Sequence, residues 1–208
     1  MTIKLDNLTP LQLDALKELG NIGAGNAATA LSQILSKKVD MSVPRVKVYP
    51  IYEIPELFGG SENIVVGVLL RMFGDMQGSL MFLLEEEEGA RKVLSDMLLG
   101  QEVEDLTSEI PMSAIMEVGN IISSSYLNSL SFFSKLTIIP STPAFAYDMA
   151  GAILGTILYE VSELSDQLLL IETDFLGNGE AIRGHFFVLP DIPSLSVLLK
   201  SVGVAEWV

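Results

Sequence analysis

The sequence predicts an α+β domain with a pseudo-two-fold internal duplication, in which a largely antiparallel sheet carries two long helices on its surface. Two observations predict this fold. The segment 113–130 repeats the pattern of the segment 14–31 at a constant offset of 99 residues. Each copy is followed by short apolar runs and turn residues, which are typical of antiparallel strands. We therefore expect a single domain, 1–208, made of two repeats at about 9–105 and 108–206.

Composition limits the possible functions. The chain has 208 residues, of which 49% are hydrophobic, and a formal net charge of −15, so it can build a core but repels nucleic acid and anionic membranes. It has no cysteine, which excludes disulfides, thiolate metal sites and a cysteine nucleophile. The start lacks a secretory signal, and the longest apolar run, 149–159, is too short to cross a bilayer and is typical of a buried strand. We expect a cytoplasmic protein without an integral membrane segment or a nucleic-acid partner.

The first predicted element is a long helix that begins at Pro10. Thr9 suits the N-cap position and proline suits the first helical position. Apolar or small residues then recur at three- and four-residue spacing on one face, at Leu16, Leu19, Gly23, Ala27, Ala30 and Ile34.

Residues 23–28 of this helix fit the G-x-G-x-x-G/A pattern of a dinucleotide-binding turn. Such a turn must follow a strand and open a helix, whereas these glycines lie inside the predicted helix. The second copy also does not keep the pattern, since Gly23, Gly25 and Ala28 are replaced by Ile122, Ser124 and Leu127. We therefore reject a nucleotide-binding function.

A polar strip lies on the opposite side of the helix. Asp14, Glu18, Asn21 and Gly25 fall within a strip roughly 60° wide, which alone would indicate a solvated face. The duplication changes this interpretation, because Ser113, Glu117, Gly119 and Asn120 answer Asp14, Glu18, Gly20 and Asn21, and Pro143 answers Pro44. A solvated Glu and Asn at i and i+3 do little for stability, so their retention indicates binding.

Strands and a shorter helix follow in each repeat. The stretch "ENIVVGVLLRMFGDMQGSLMFLLE" predicts two strands joined by a Gly-Asp turn, and "EEEGARKVLSDMLLG" predicts a helix that ends at Gly100. In the second half "AGAILGTILYEV", "DQLLLIETDFL" and "AIRGHFFVLP" are predicted strands and "SLSVLLKSVG" a helix. His185 has no visible catalytic partner in its strand, so we interpret it as structural, and Trp207 as a packing residue.

The pattern (Asp/Ser)-x-x-x-Glu-x-x-Asn, followed after 22 residues by Pro, resembles the CheC/CheX/FliY family of bacterial chemotaxis phosphatases, which dephosphorylate the response regulator CheY. The resemblance covers nearly the whole chain. Two motifs and a length near 200 are most similar to the CheC branch. The resemblance implies hydrolysis of an aspartyl phosphate on CheY, with Mg²⁺ held by the receiver and no metal or other cofactor of the chain's own.

The resemblance also implies roles for the motif residues. Asn21 and Asn120 would each order the attacking water, as a carboxamide offers both a donor and an acceptor. Glu18 and Glu117 would pair with a lysine on the receiver's active-site rim. Supporting positions of the motif are Asp14, Ser113, Pro44 and Pro143. We expect the small residues Gly20, Gly25 and Ala28 to let the receiver approach, and Tyr126 and Leu127 to restrict this at the second site.

A second partner is implied as well, the receptor deamidase CheD. We place its contact surface around Asp148, a charged residue among apolar ones at a predicted strand start. Two alternatives remain: a non-catalytic adaptor that regulates CheD and CheY, and a nucleotide or metal hydrolase. The latter is disfavoured because the chain has one histidine and no P-loop. Turnover of phosphorylated receiver distinguishes a phosphatase from an adaptor.

Overall fold

An eight-stranded antiparallel sheet organises the computed structural model, which describes residues 5–42, 44–98, 100–155, 166–177 and 180–204. The strands are β1 (Val39–Met41), β2 (Arg45–Pro50), β3 (Ile64–Gly74), β4 (Gly78–Glu85), β5 (Ile138–Pro140), β6 (Ala144–Met149), β7 (Gln167–Gly177) and β8 (Glu180–Pro190). Their order is β1-β7-β8-β4-β3-β5, with β2 also paired to β7 and β6 to β3. The α+β prediction with a largely antiparallel sheet is confirmed.

Helices cover both faces of the sheet. They are α1 (Pro10–Leu35), α2 (Lys92–Met97), α3 (Glu109–Ser134), α4 (residues 150–155) and α5 (Ile192–Ser201), with 3-10 helices at Leu5–Asn7 and Ile51–Phe58 and a π-helical turn at Glu86–Arg91. The larger core joins one face of the sheet to α1, α2, α3 and α5, and a smaller core joins the other face to α4 and the second 3-10 helix. Within the described ranges, no helix combines the length and apolar character needed to cross a membrane.

The central strand β4 has a continuous apolar run, Leu80 to Leu84, because both of its faces are buried there. In β4, Leu80, Phe82 and Leu84 enter the larger core, while Met81 and Leu83 enter the smaller one. The turn between β3 and β4 depends on Gly74, whose φ is +102°. The predicted hairpin is therefore confirmed.

The pseudo-two-fold relation is visible in the strand register. Strands β4 and β8 pair at the centre of the sheet, where Met81 lies opposite Phe187. The edge strands β1 and β2 of the first repeat pair with β7 of the second, and β5 and β6 pair with β3. Each repeat thus completes the sheet of the other. The repeat limits at about 9–105 and 108–206 stay a prediction.

The predicted strand in the apolar run 149–159 is wrong for its described part. Residues 150–155 are helical, and the counterpart of β3 is β7. Ala150 and Leu154, one helical turn apart, are both fully buried in the smaller core, so tertiary packing decides between two periodicities that a short apolar run does not distinguish. The remainder of the run and Trp207 lie outside the described residues.

The start of α1 follows the sequence prediction. Thr9 and Gln12 form a reciprocal cap, in which the Gln12 amide donates to Thr9 Oγ1 at 3.3 Å and the Thr9 amide donates to Gln12 Oε1 at 2.9 Å. Gln12 Nε2 also donates to the carbonyl of Val204 at 3.2 Å. The cap therefore joins the first motif helix to the described end of the chain.

The glycine pattern of α1 has a packing explanation. A methyl group added at Gly23 would lie 2.5 Å from Cε2 of Tyr126, a fully buried side chain of α3. The Tyr126 ring is itself held against Phe186, with 5.1 Å between ring centroids. Gly23 of α1 thus lies opposite the large Tyr126 of α3 and permits the close contact between the helices.

Candidate functional site

The polar strip of each motif helix faces solvent. On α1, Asp14, Glu18 and Asn21 are exposed, and on α3, Ser113 and Glu117 are exposed and Asn120 is half-buried. In the part of the chain that the structure describes, no hydrogen bond or ion pair engages the side chains of Glu18, Asn21, Glu117 or Asn120. Each Glu/Asn pair is one turn apart, so a partner molecule can contact both side chains at once.

The glycine within each motif allows the helix to pack closely against the sheet. A methyl group at Gly20 would lie 3.1 Å from Cβ of Pro44 and 3.1 Å from Cγ2 of Ile171. At Gly119 it would lie 2.6 Å from Cβ of Val68. The expectation that Gly20 lets a receiver approach is therefore wrong, because this glycine is buried and faces the sheet. The glycines bring the helix close enough to fix the outward direction of the adjacent asparagine.

The two motif prolines occupy breaks in the edge strands. Pro44 separates β1 from β2, and Pro143 separates β5 from β6. Proline has no N–H to give to a ladder, so a break at the sheet edge is where it fits. Because Pro44 also contacts Gly20, the 22-residue spacing joins the helix to the sheet edge beneath the polar strip.

An open groove runs beside the first polar strip. It has a volume of about 380 Å³ and is lined by Asn21, Ala24, Gly25, Ala28, Thr29, Lys38, Val39, Asp40 and Ser42. Nothing lies within 4 Å of a methyl group placed on Gly25. Lys38 and Asp40 pair across 2.8 Å at the rim. The groove provides room for a loop of a partner protein next to Asn21.

The second site is not crowded by the residues expected to restrict it. Tyr126 and Leu127 are each 1% exposed and point into the core. That expectation is wrong, because the helical phase places both residues on the buried face of α3. The position that answers Gly25 is Ser124, a small, half-buried polar residue.

His185 belongs to a charged cluster that the sequence did not indicate. Its Nδ1 lies 3.1 Å from Asp174 Oδ1 and 3.7 Å from Glu172 Oε1. Arg45 bridges the same carboxylates, with Nη2 3.0 Å from Glu172 Oε1 and 2.9 Å from Asp174 Oδ2. We still interpret His185 as a structural residue. The structure gives it charged partners, however, which the sequence did not show. The partners come from β2 and β7, more than ten residues away in sequence, so no local signal reveals them.

The cluster lies on the sheet face opposite the motif helices. Strand alternation puts Glu172 on the same side as Leu170, which enters the smaller core, while Ile171 enters the larger one. Glu172, Asp174 and His185 could hold a metal ion, since one ligand atom from each lies within 4.8 Å of the others. The Arg45 guanidinium already pairs with both carboxylates, however, and the cluster is best described as an ion-pair network that joins β2 to β7.

This network predicts a pH-dependent contribution to stability. Burial would raise the pKa of Glu172, but the hydrogen bonds from His185 and Arg45 outweigh it and hold the pKa below its ordinary value of 4.5. A lowered folded pKa stabilises the protein above about pH 4.5, and the contribution is lost as the pH falls through the folded value. We expect Glu172→Gln to lower the free energy of unfolding by about 1–3 kcal/mol at pH 7.

Urea unfolding at pH 7 and at pH 4 measures this effect. The difference in the free energy of unfolding between wild type and Glu172→Gln should be smaller at pH 4 than at pH 7. Asp40→Asn is the control, because it removes the exposed pair with Lys38 and should change little. An equal loss at both pH values would contradict the assignment.

Asp148 lies at the end of β6, not at a strand start as predicted. It is exposed, and its Oδ1 accepts the Met149 amide at 2.7 Å. Its neighbours Tyr147 and Met149, together with Ile64 on β3, are large apolar side chains that remain 37–43% exposed. By strand alternation and register, Asp148 lies on the sheet face of its partner Val65, opposite the face that carries Tyr147 and Met149, so the carboxylate and the apolar side chains share an exposed sheet edge but point to opposite sides of it.

Sequence comparison places this arrangement among known proteins. The profile of the CheC-like family matches residues 11–48 and 110–147, which contain the two motif helices and the edge strands that follow them. The chain is 34% identical over 200 residues to "CheY-P phosphatase CheC" of Bacillus subtilis (strain 168), covering 93% of this chain and 95% of that protein. It is 31% identical over 142 residues to "Flagellar motor switch phosphatase FliY" of the same organism, covering 66% of this chain and 36% of that protein.

Solved structures share the fold. The crystal structure of Thermotoga maritima FliY has a TM-score of 0.73 at 22% identity, covering 96% of this chain and 99% of that one. The FliM middle domain from H. pylori has a TM-score of 0.68 at 12% identity, covering 93% of this chain and 99% of that one. At these identities the likeness concerns the fold alone.

Proposed function

The chain belongs to the CheC-like family and is a protein phosphatase, and from this premise we propose that its substrate is the phosphorylated chemotaxis response regulator CheY. The observation that carries the proposal is the pair of outward-facing Glu and Asn side chains at equivalent positions of α1 and α3, which make no hydrogen bond or ion pair to any other described residue. An aspartyl phosphate lies in the receiver's own pocket, so a phosphatase that acts on it must present its groups on a convex surface. The motif helices have this shape. We propose the cytoplasm as the compartment, because the proposed substrate is a cytoplasmic response regulator.

The asparagine of each motif positions the attacking water. Asn21 and Asn120 each offer an amide N–H and a carbonyl oxygen, which can hold one water in line with the phosphorus. The water oxygen forms a bond to phosphorus while the bond between phosphorus and the receiver's aspartyl oxygen breaks, which releases inorganic phosphate and a carboxylate. The receiver brings the Mg²⁺ that neutralises the phosphoryl oxygens, and the chain needs no cofactor of its own.

The glutamate holds the receiver. Glu18 and Glu117 are exposed and lie one turn before the asparagines, where they can pair with a lysine at the rim of the receiver pocket. The net charge of −15 supports attraction of a basic surface. Asp14 and Ser113 extend the same strip by one further turn and support docking. Pro44 and Pro143 lie at the sheet edge and position the helices.

The experiment that tests this function is release of phosphate from phosphorylated CheY present in large excess over the chain. We expect each chain to release many phosphates, in addition to those that CheY releases by its own hydrolysis. Release that never exceeds the receiver's own rate would contradict the function and favour the alternative, a non-catalytic adaptor that regulates CheD and CheY.

We also propose that the chain binds CheD through the surface around Asp148. A partner that wraps this exposed sheet edge can contact the Asp148 carboxylate on one face and the apolar side chains of Tyr147 and Met149 on the other. We expect Asp148→Lys to weaken CheD binding by roughly tenfold or more, because a like-charge contact replaces a favourable one.

Titration calorimetry with purified CheD measures the change. Glu104→Lys, a charge reversal at another exposed position, is the control and should bind as wild type does. Unchanged affinity of a folded Asp148→Lys protein would show that the CheD surface lies elsewhere.

A further inference from the structure

Each motif helix carries a large aliphatic side chain in water, one turn before its polar strip. Leu11 is 64% exposed and Ile110 is 67% exposed. Each is the second residue of a 26-residue helix, and the two are separated by the same offset as the Glu/Asn pairs. At 100° per residue, Leu11 falls with Asp14, Glu18 and Asn21 inside a sector about 80° wide, so it extends the polar strip.

Local structure does not account for these two residues. The cap of α1 is made by Thr9 and Gln12, and Leu11 takes no part in it. Within the described ranges, neither Leu11 nor Ile110 belongs to either core or packs against one. Single exposed aliphatic residues are common, but a nearby position outside the core changed character between the copies, since the exposed Lys17 is answered by the half-buried Met116. An aliphatic side chain at the same exposed position of both copies therefore needs a reason.

We infer that Leu11 and Ile110 are apolar anchors that hold the phosphorylated receiver at each site, an inference that rests on the proposed function. The strip is continuous with the Glu/Asn pair, so a protein docked on that pair covers the first turn of the helix as well. Seven residues separate Leu11 from Glu18, which at 1.5 Å per residue is about 10 Å. The occupant is an apolar patch on the receiver, about 10 Å from the lysine that meets the glutamate.

Anchor and glutamate act on different steps of binding. Burial of an aliphatic side chain stabilises the docked complex whatever the salt concentration, so it slows dissociation. An exposed glutamate accelerates association, and salt screens that effect beyond about 8 Å at physiological ionic strength. The two contributions can therefore be separated by measurement.

The test is the double variant Leu11→Ala/Ile110→Ala of the full chain, assayed by phosphate release from phosphorylated CheY. We expect KM to rise about tenfold or more with kcat unchanged, and the salt dependence of kcat/KM to stay that of wild type. Leu11→Met/Ile110→Met keeps the apolar surface and should retain the wild-type KM. Val197→Ala, which shortens an exposed aliphatic side chain of α5, is the matched control.

Two outcomes separate the failure of this inference from that of the proposed function. An unchanged KM in Leu11→Ala/Ile110→Ala, with a wild-type urea midpoint, would overturn the anchors while the phosphatase stands. Absence of turnover by the wild-type chain would instead overturn the function. If the alanine variant unfolds more easily, Leu11→Gln/Ile110→Gln decides, because it keeps side-chain length without apolar surface and must raise KM if the anchors are real.

Discussion

The double variant Asn21→Ala/Asn120→Ala is expected to hydrolyse phosphorylated CheY no faster than CheY does alone. Each amide is exposed or half-buried and makes no hydrogen bond to another described residue, so its loss leaves the fold intact. Without the amides the attacking water is no longer held in line, which we expect to cost on the order of a hundredfold in kcat. Affinity for the receiver should change little, since Glu18 and Glu117 remain.

The measurement is the rate of phosphate release at saturating phosphorylated CheY, with circular dichroism to confirm folding. Asn26→Ala is the matched control, because it removes the same amide from the same helix outside the polar strip, where Asn26 Nδ2 donates to the Ile22 carbonyl at 3.0 Å. The control should keep wild-type activity. Full activity of the double variant would refute the catalytic assignment.

Gly23→Ala is expected to destabilise the protein although alanine is the better helix former. The added methyl group would lie 2.5 Å from the Tyr126 ring, which is fully buried and packed against Phe186. Overpacking of this kind costs typically 1–3 kcal/mol, which offsets or exceeds the roughly 1 kcal/mol gained in helix propensity. We expect a net loss of up to about 2 kcal/mol in the free energy of unfolding.

Gly25→Ala is the matched control for this change. The same substitution two residues later meets nothing within 4 Å, so it should raise stability by up to about 1 kcal/mol. Urea unfolding of both variants, and of Gly23→Ala in a Tyr126→Leu background, separates the two effects. Equal behaviour of Gly23→Ala and Gly25→Ala would contradict the packing role, as would a loss that persists without the Tyr126 ring.

The parts of the fold that sequence predicted depend on local signals. The cap at Thr9 and the helical phase of the strip are set by neighbours within four residues, and both were predicted. The duplication allowed the two copies of the helix to be compared. That comparison distinguished Glu18 and Asn21, which both copies retain, from merely solvated residues. The resemblance to the CheC family then assigned chemistry to them, which periodicity alone does not.

The parts that were missed depend on contacts between distant segments. Residues 150–155 are apolar enough for strand or helix, and the smaller core decides in favour of helix. From sequence alone, Gly20 was interpreted as a small surface residue. In the fold, Pro44 and Ile171 of the sheet pack against it. His185 acquires Glu172 and Arg45 only through the pairing of β8 with β7 and of β7 with β2. No pattern within a short window contains this information.

The central claim is that each motif helix carries an independent phosphatase site. Its most direct test is the initial rate of phosphate release from phosphorylated CheY by Asn21→Ala and by Asn120→Ala, each corrected for CheY's own hydrolysis. The geometry of two separate outward faces predicts that each single variant stays active and that the two corrected rates add up to the wild-type rate. Loss of all activity in either single variant would contradict independent sites.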